Sequence, residues 1–103
     1  MRIGVIGAGP VGSVLAAHLI DSGHDVTLCE INSDLRTTLL EKGIRIEGKR
    51  SLRVGVSSAI ASIDGFADES PELLFVAVKA QVLPLVSSSI RDLARPDMAV
   101  VSW

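Results

Sequence analysis

The order of apolar and polar positions divides the chain into alternating elements. Ile3, Gly4, Val5 and Ile6 form an unbroken apolar run of strand length, as a strand covered on both faces requires. Val11, Val14, Leu15 and Leu19 then recur at helical spacing, predicting a helix over 11–22 with Gly23 as its left-handed cap. A second apolar run, 26–29, ends on an acid, Glu30. Asn32 or Ser33 can cap a further helix, with Asp34 in its first turn and Leu35, Leu39 and Leu40 toward a sheet. Lys42 and Gly43 supply its stop. The period then changes to two: Ile44 and Ile46, then Leu52, Val54 and Val56, flank Gly48-Lys49-Arg50-Ser51. That pattern reads as a β-hairpin with a charged, solvated tip.

The stretch 57–72 is small and then acidic, and Ala59, Ile60 and Ile63 suggest a short helical piece without clear limits. Residues 73–78 are almost wholly apolar, as in the middle of a parallel sheet. A helix follows with Val82, Leu85, Val86, Ile90 and Leu93 on one side, and Pro84 is tolerated in its first turn. Arg95-Pro96-Asp97 stops it, and a last strand covers 98–102. The fold class is therefore α/β: a Rossmann-like, doubly wound, mostly parallel sheet with the β-hairpin as an insertion at one edge.

The 103 residues fill one domain, 1–103, with no room for a second sizeable core. Phe66, Phe75 and Trp103 are the only aromatics, so the core must be aliphatic. A net charge of −2 with scattered basic residues gives no case for nucleic acid or an anionic membrane. Cys29 is the single cysteine, which excludes an internal disulfide and argues against a thiolate metal cluster. It is expected to be an inert core thiol. His18 and His24 are the only histidines, without metal-ligand spacing, so no metal site is expected. His18 lies on or beside an apolar helix face and reads as packing filler rather than a catalytic base, and His24 as structural. Arg2 followed by apolar residues to Ile20, with Leu15-Ala16-Ala17, imitates a secretory leader. The glycines and proline inside that run keep another register, and a cytoplasmic location is the simpler expectation. No segment is long enough to span a bilayer.

That other register is Gly7-Ala8-Gly9-Pro10-Val11-Gly12, a G-x-G-x-x-G turn set between strand and helix. Gly7 allows the tight turn, Gly9 lets the backbone approach a pyrophosphate, and Gly12 lets helix and strand lie close. Exposed amides and the positive dipole end of the helix face the phosphates. Pro10 fits the first helical turn, where its missing N–H has no internal partner anyway. Glu30 follows Gly12 by 18 positions, near the ~20 expected of an acid that binds the adenosine ribose. Its carboxylate can accept from both ribose hydroxyls, whereas a 2′-phosphate would meet like charge. The cofactor expected is NAD, with NADP as the alternative. Lys79, just beyond the apolar run 73–78, stands at the same sheet edge as the glycine turn. It is either a solvated strand-end cation or a group touching cofactor phosphate or ribose, or polarising a substrate carbonyl. Gln81 could hydrogen-bond the same ligand.

The stretches Ile3-Gly4-Val5-Ile6-Gly7-Ala8-Gly9-Pro10-Val11-Gly12-Ser13 and Gly23-His24-Asp25-Val26-Thr27-Leu28, the hairpin, and Val76-Ala77-Val78-Lys79-Ala80-Gln81 together resemble the N-terminal domain of ketopantoate reductases (2-dehydropantoate 2-reductases). The resemblance covers essentially the whole chain, and its Val-Lys-Ala element is more specific than the glycine turn. It implies hydride transfer from a nicotinamide cofactor to the keto group of ketopantoate or a related 2-keto acid, in pantothenate synthesis. It also implies that Lys79 lies against the cofactor near the active site. Together with the motif reading, the expected cofactor-binding residues are Gly7, Ala8, Gly9, Pro10, Val11, Gly12, Glu30, Val78, Lys79 and Gln81. Lys79 becomes the catalytic candidate of this domain. The family's general-acid lysine lies in a helical C-terminal domain, and an Asn-Gly pair follows the fifth strand. Neither is present in the chain, so alone it is expected to lack a proton donor and a substrate pocket. A homodimer of the full-length protein is compatible with this reading. NADP-using members carry an arginine just after the second strand, where this chain reads Cys29-Glu30-Ile31-Asn32, with no basic residue before Arg36. The alternatives are a 3-hydroxyacid or 6-phosphogluconate type dehydrogenase, which normally lacks the hairpin and the Val-Lys-Ala element, and a nucleotide-sensing regulatory module.

Overall fold

The computed structural model describes residues 1–48, 51–67, 71–78 and 99–102. The chain runs through β1 (Arg2–Ile6), α1 (Pro10–Asp21), β2 (Asp25–Cys29), α2 (Ser33–Lys42), β3 (Ile44–Ile46), β4 (Leu52–Val54) and β5 (Ala59–Ile60). A short 3-10 turn (Ile63–Ala67), β6 (Leu73–Val76) and β7 (Ala99–Ser102) complete it. The five parallel strands stand in the order β5-β2-β1-β6-β7. The chain winds outward from β1 to β2 and β5, then returns across β1 to β6. A sheet built this way opens a crevice at the carboxyl ends of β1 and β6, where the winding reverses.

Alternation along the strands sends residues to two different layers. Ile3, Val5, Val26 and Leu28 pack beneath α1, against its buried Ala16 and Ala17. Small side chains on α1 bring helix and sheet close. On the opposite face Ile6, Cys29, Leu74 and Val76 meet Ile63 and Phe66 of the 3-10 turn. Phe66 is the one large ring in an otherwise aliphatic buried core among the described residues. It fits because a Cβ at Gly4 would lie only 3.0 Å from two of its ring carbons.

Helix ends form largely where the residue types direct. α1 opens on Pro10, one residue before the expected start, and closes in a Schellman motif. There Gly23 takes φ +90°, its N–H donates to the Ile20 carbonyl at 3.0 Å, and the His24 N–H to that of Leu19 at 3.1 Å. For α2 the cap is Asn32, whose side chain accepts from the Leu35 amide, and Gly43 ends the helix at φ +74°.

Two stretches depart from expectation. The hairpin is present, but among the described residues β3 and β4 pair only with each other and form a separate two-stranded sheet laid against α1. Strands this short need cover on their apolar side. Ile44 and Val54 find it within the α1 core layer. Ala59 and Ile60, expected in a helical piece, pair with Leu28 and Cys29 as β5 and take the sheet edge themselves. Only Ile63 joins the 3-10 turn.

β6 lies between β1 and β7, inside the sheet as its apolar run suggests, and Ala77 N–H continues the ladder to the Ile6 carbonyl at 2.8 Å. β7 pairs in register, with Val76 opposite Ser102. The hairpin tip at Lys49 and Arg50, the helix expected through Val82 and Leu93, and Trp103 lie outside the described residues.

Candidate dinucleotide site

The glycine turn sits at the carboxyl end of β1, and its three glycines answer to different demands. Gly7 has φ +96°, and a Cβ there would come within 2.7 Å of the Ala77 carbonyl oxygen and 3.2 Å of Val78 Cγ1. Its amide donates to the Cys29 carbonyl at 2.9 Å, which ties the turn to β2. A Cβ at Gly12 would collide with the Gly7 carbonyl oxygen. Glycine at both positions is thus required by the protein's own packing.

Gly9 differs. Its backbone is extended, φ −69° and ψ −171°, a conformation open to any residue, and a Cβ there would meet nothing within 4 Å among the described residues. Nothing among the described residues calls for glycine at this point. Open space beside the backbone is what a closely approaching pyrophosphate would need.

Ser13 closes the turn from within, its hydroxyl donating to the Ala8 carbonyl at 2.8 Å and its amide to Gly9 at 2.9 Å. The helical series therefore begins at Ser13, with the amides of Val11 and Gly12 ahead of it. Pro10 has no amide to offer. Val11 is 49% exposed beside them. Together these amides and the dipole end form a corner of the kind that can bind an anion.

Glu30 reaches that corner from β2. The Ala8 amide donates to its Oε1 at 3.1 Å and the Asn32 amide to its Oε2 at 2.9 Å. The Glu30 amide donates to the Ile60 carbonyl at 2.9 Å. Arg36 Nη1 donates to the carbonyls of Glu30, at 2.7 Å, and Ile31, at 3.0 Å. Each carboxylate oxygen keeps a lone pair beyond these bonds, so the group can still accept from a pair of vicinal hydroxyls.

The sequence brings Glu30 to the glycine turn as expected, but it does not announce the direct bond to Ala8. Arg36 and the Asn32 amide escape a motif-based reading altogether. Their only signal is the first cation after the acid, placed one turn into the next helix.

Val78 packs at the turn beside Gly7, half-buried against the Phe66 layer. Lys79 and Gln81 lie outside the described residues. Cys29 is buried as expected, and its thiol is pushed up to about 11, chiefly by burial and then by the Glu30 carboxylate, with Arg36 opposing. His18 corrects an expectation. It is exposed on the outer side of α1, where it lines an open groove of about 520 Å³ with Pro10, Val11, Val14 and Leu15. The helix turns this residue away from the sheet because Ala16 and Ala17 occupy the inward face.

Known proteins share this fold. The family model of ketopantoate reductase PanE/ApbA matches residues 3–103. A 2-dehydropantoate 2-reductase of Pyrococcus horikoshii is 30% identical over 95 residues, which are 92% of this chain and 30% of that protein. The structure of a probable 2-dehydropantoate 2-reductase from Bacillus subtilis superposes with TM-score 0.82 at 30% identity, over 99% of this chain and 33% of that one. A D-mandelate dehydrogenase solved with NADH and anilino(oxo)acetate superposes with TM-score 0.78 at 26% identity, over 99% of this chain and 33% of its own. The chain thus spans about a third of the length of these three proteins. Fold, glycine turn and relatives define a dinucleotide-binding domain of oxidoreductase type. Within that class, the chain belongs to the ketopantoate reductase family.

Proposed function

We propose that this chain is the cofactor-binding domain, 1–103, of a cytoplasmic nicotinamide-dependent reductase of 2-keto acids such as ketopantoate, and that it takes NADH in preference to NADPH. One observation carries the cofactor choice: the Glu30 carboxylate lies hydrogen-bonded at the glycine turn, where an adenosine ribose would present its hydroxyls. The turn would hold the pyrophosphate through the amides of Val11 and Gly12, with Gly9 leaving room and Ala8 and Pro10 shaping the corner. A 2′-phosphate would bring its charge against Glu30. The cofactor supplies the hydride. This chain's residues bind and orient it. Lys79 and Gln81 follow β6 in the sequence, and Lys79 is the group proposed to contact cofactor or keto acid. The substrate proposal draws on family membership, and the hairpin over α1 favours this family over the 3-hydroxyacid type.

Calorimetric titration of the chain with NADH and NADPH tests the reading. NADH is expected to bind more tightly, and Glu30→Ala to weaken it about tenfold, the loss of about 1.4 kcal/mol of ribose hydrogen bonding. Tighter binding of NADPH by the unaltered chain would overturn the preference.

A further inference from the structure

We infer that Arg36 is a positioning residue that sets cofactor preference: by gripping the backbone of the β2–α2 loop, its guanidinium holds the Glu30 carboxylate against the glycine turn. The inference rests on the proposed role of Glu30 at the ribose.

Apolar burial does not fix this loop. Ile31, its central residue, is 86% exposed. Polar bonds do the fixing instead. Arg36 Nη1 bridges the two consecutive carbonyls of Glu30 and Ile31, at 2.7 and 3.0 Å. Charge-assisted bonds of this kind are about twice as strong as neutral ones. With both carbonyls turned toward α2, the Asn32 amide faces back and donates to Glu30 Oε2. The side chain is thereby folded over the turn, where Oε1 receives the Ala8 amide. Arg36 itself stands on the first turn of α2, held by its own amide bond to the Asn32 carbonyl at 3.0 Å. The guanidinium thus acts on the carboxylate through the backbone, without a direct ion pair between them in the described bonds.

Without the grip, the carboxylate would sample several positions, and affinity for the ligand that needs one of them falls in proportion to its population. Arg36→Met should therefore weaken NADH binding about fivefold to tenfold, while NADPH, which gains nothing from Glu30, binds unchanged or better. Arg36→Lys, which keeps the charge but whose shorter side chain does not carry its ammonium as far as Nη1, should recover only part of the loss. A merely structural defect would lower both cofactors together. Hydrogen exchange supplies a readout independent of any cofactor: the Ala8 and Asn32 amides should exchange faster in Arg36→Met, with those of β1 unchanged.

Unaltered exchange at Ala8 and Asn32, or an unchanged ratio of NADH to NADPH affinity, would overturn the inference. So would a larger loss of NADPH than of NADH, which would make Arg36 a direct phosphate ligand. Glu30→Ala separates the two ideas. If it shifts the ratio and Arg36→Met does not, only the positioning role fails. If it shifts nothing, the ribose reading fails as well.

Discussion

At the scale of single residues, the glycines of the turn separate what folding needs from what a ligand needs. Gly12 is pressed against the Gly7 carbonyl, whereas Gly9 faces open space. Gly12→Ala should cost about 3 kcal/mol through overlap that the backbone must relieve, seen as a lowered melting temperature. Gly9→Ala should stay within about 1 kcal/mol of the parent, since it only changes an N-cap residue of ordinary conformation. It should nevertheless weaken dinucleotide binding about tenfold, through a methyl group placed where phosphate approaches. Comparable melting losses in both variants would contradict the distinction. The motif itself was readable from residue spacing, including the acid. What spacing could not convey is the partner of each polar atom, because the amides of Ala8 and Asn32 belong to the backbone and leave no mark on residue type. His18 shows the same limit: it stands one helical turn from Val14, but the depth of the sheet beneath α1 decides which positions are covered.

At the scale of elements, caps and periodicity carried most of the architecture. Asn32 ends the loop and begins α2 as its residue type directs. Asn32→Ala should cost about 1 kcal/mol, a fall in melting temperature of about 4–8 °C for a domain of this size. NADH affinity should change less than about twofold, because the carboxylate uses the Asn32 backbone amide and not its side chain. A larger loss would mean that the cap itself shapes the site. The period-2 runs announced β3 and β4, yet the partners of a strand are a tertiary matter. Three-residue strands found cover on α1, which left the sheet edge to Ala59 and Ile60. A strand of two residues is too short for any period to register, and Ile60 and Ile63 three apart imitate a helical face.

For the whole molecule, pH connects the buried thiol to global stability. In the unfolded chain Cys29 ionises near 9.0, while in the fold it keeps its proton to about 11. Between those values only the unfolded chain sheds the proton. The stability tied to the neutral thiol is complete below the lower value and drains away as pH rises through the higher, by up to about 3 kcal/mol. Denaturant unfolding at about pH 8 and about pH 11 should show a steeper decline for the parent than for Cys29→Ala. Parallel declines would mean that the thiol ionises freely in the fold. The arrangement of layers has a consequence of another kind. With the parallel sheet beneath α1 and the hairpin laid against it, the helix whose first amides face the cradle is already immobilised by folding. The ordering of that corner is settled before any guest arrives, and an incoming anion meets a finished surface instead of having to assemble one.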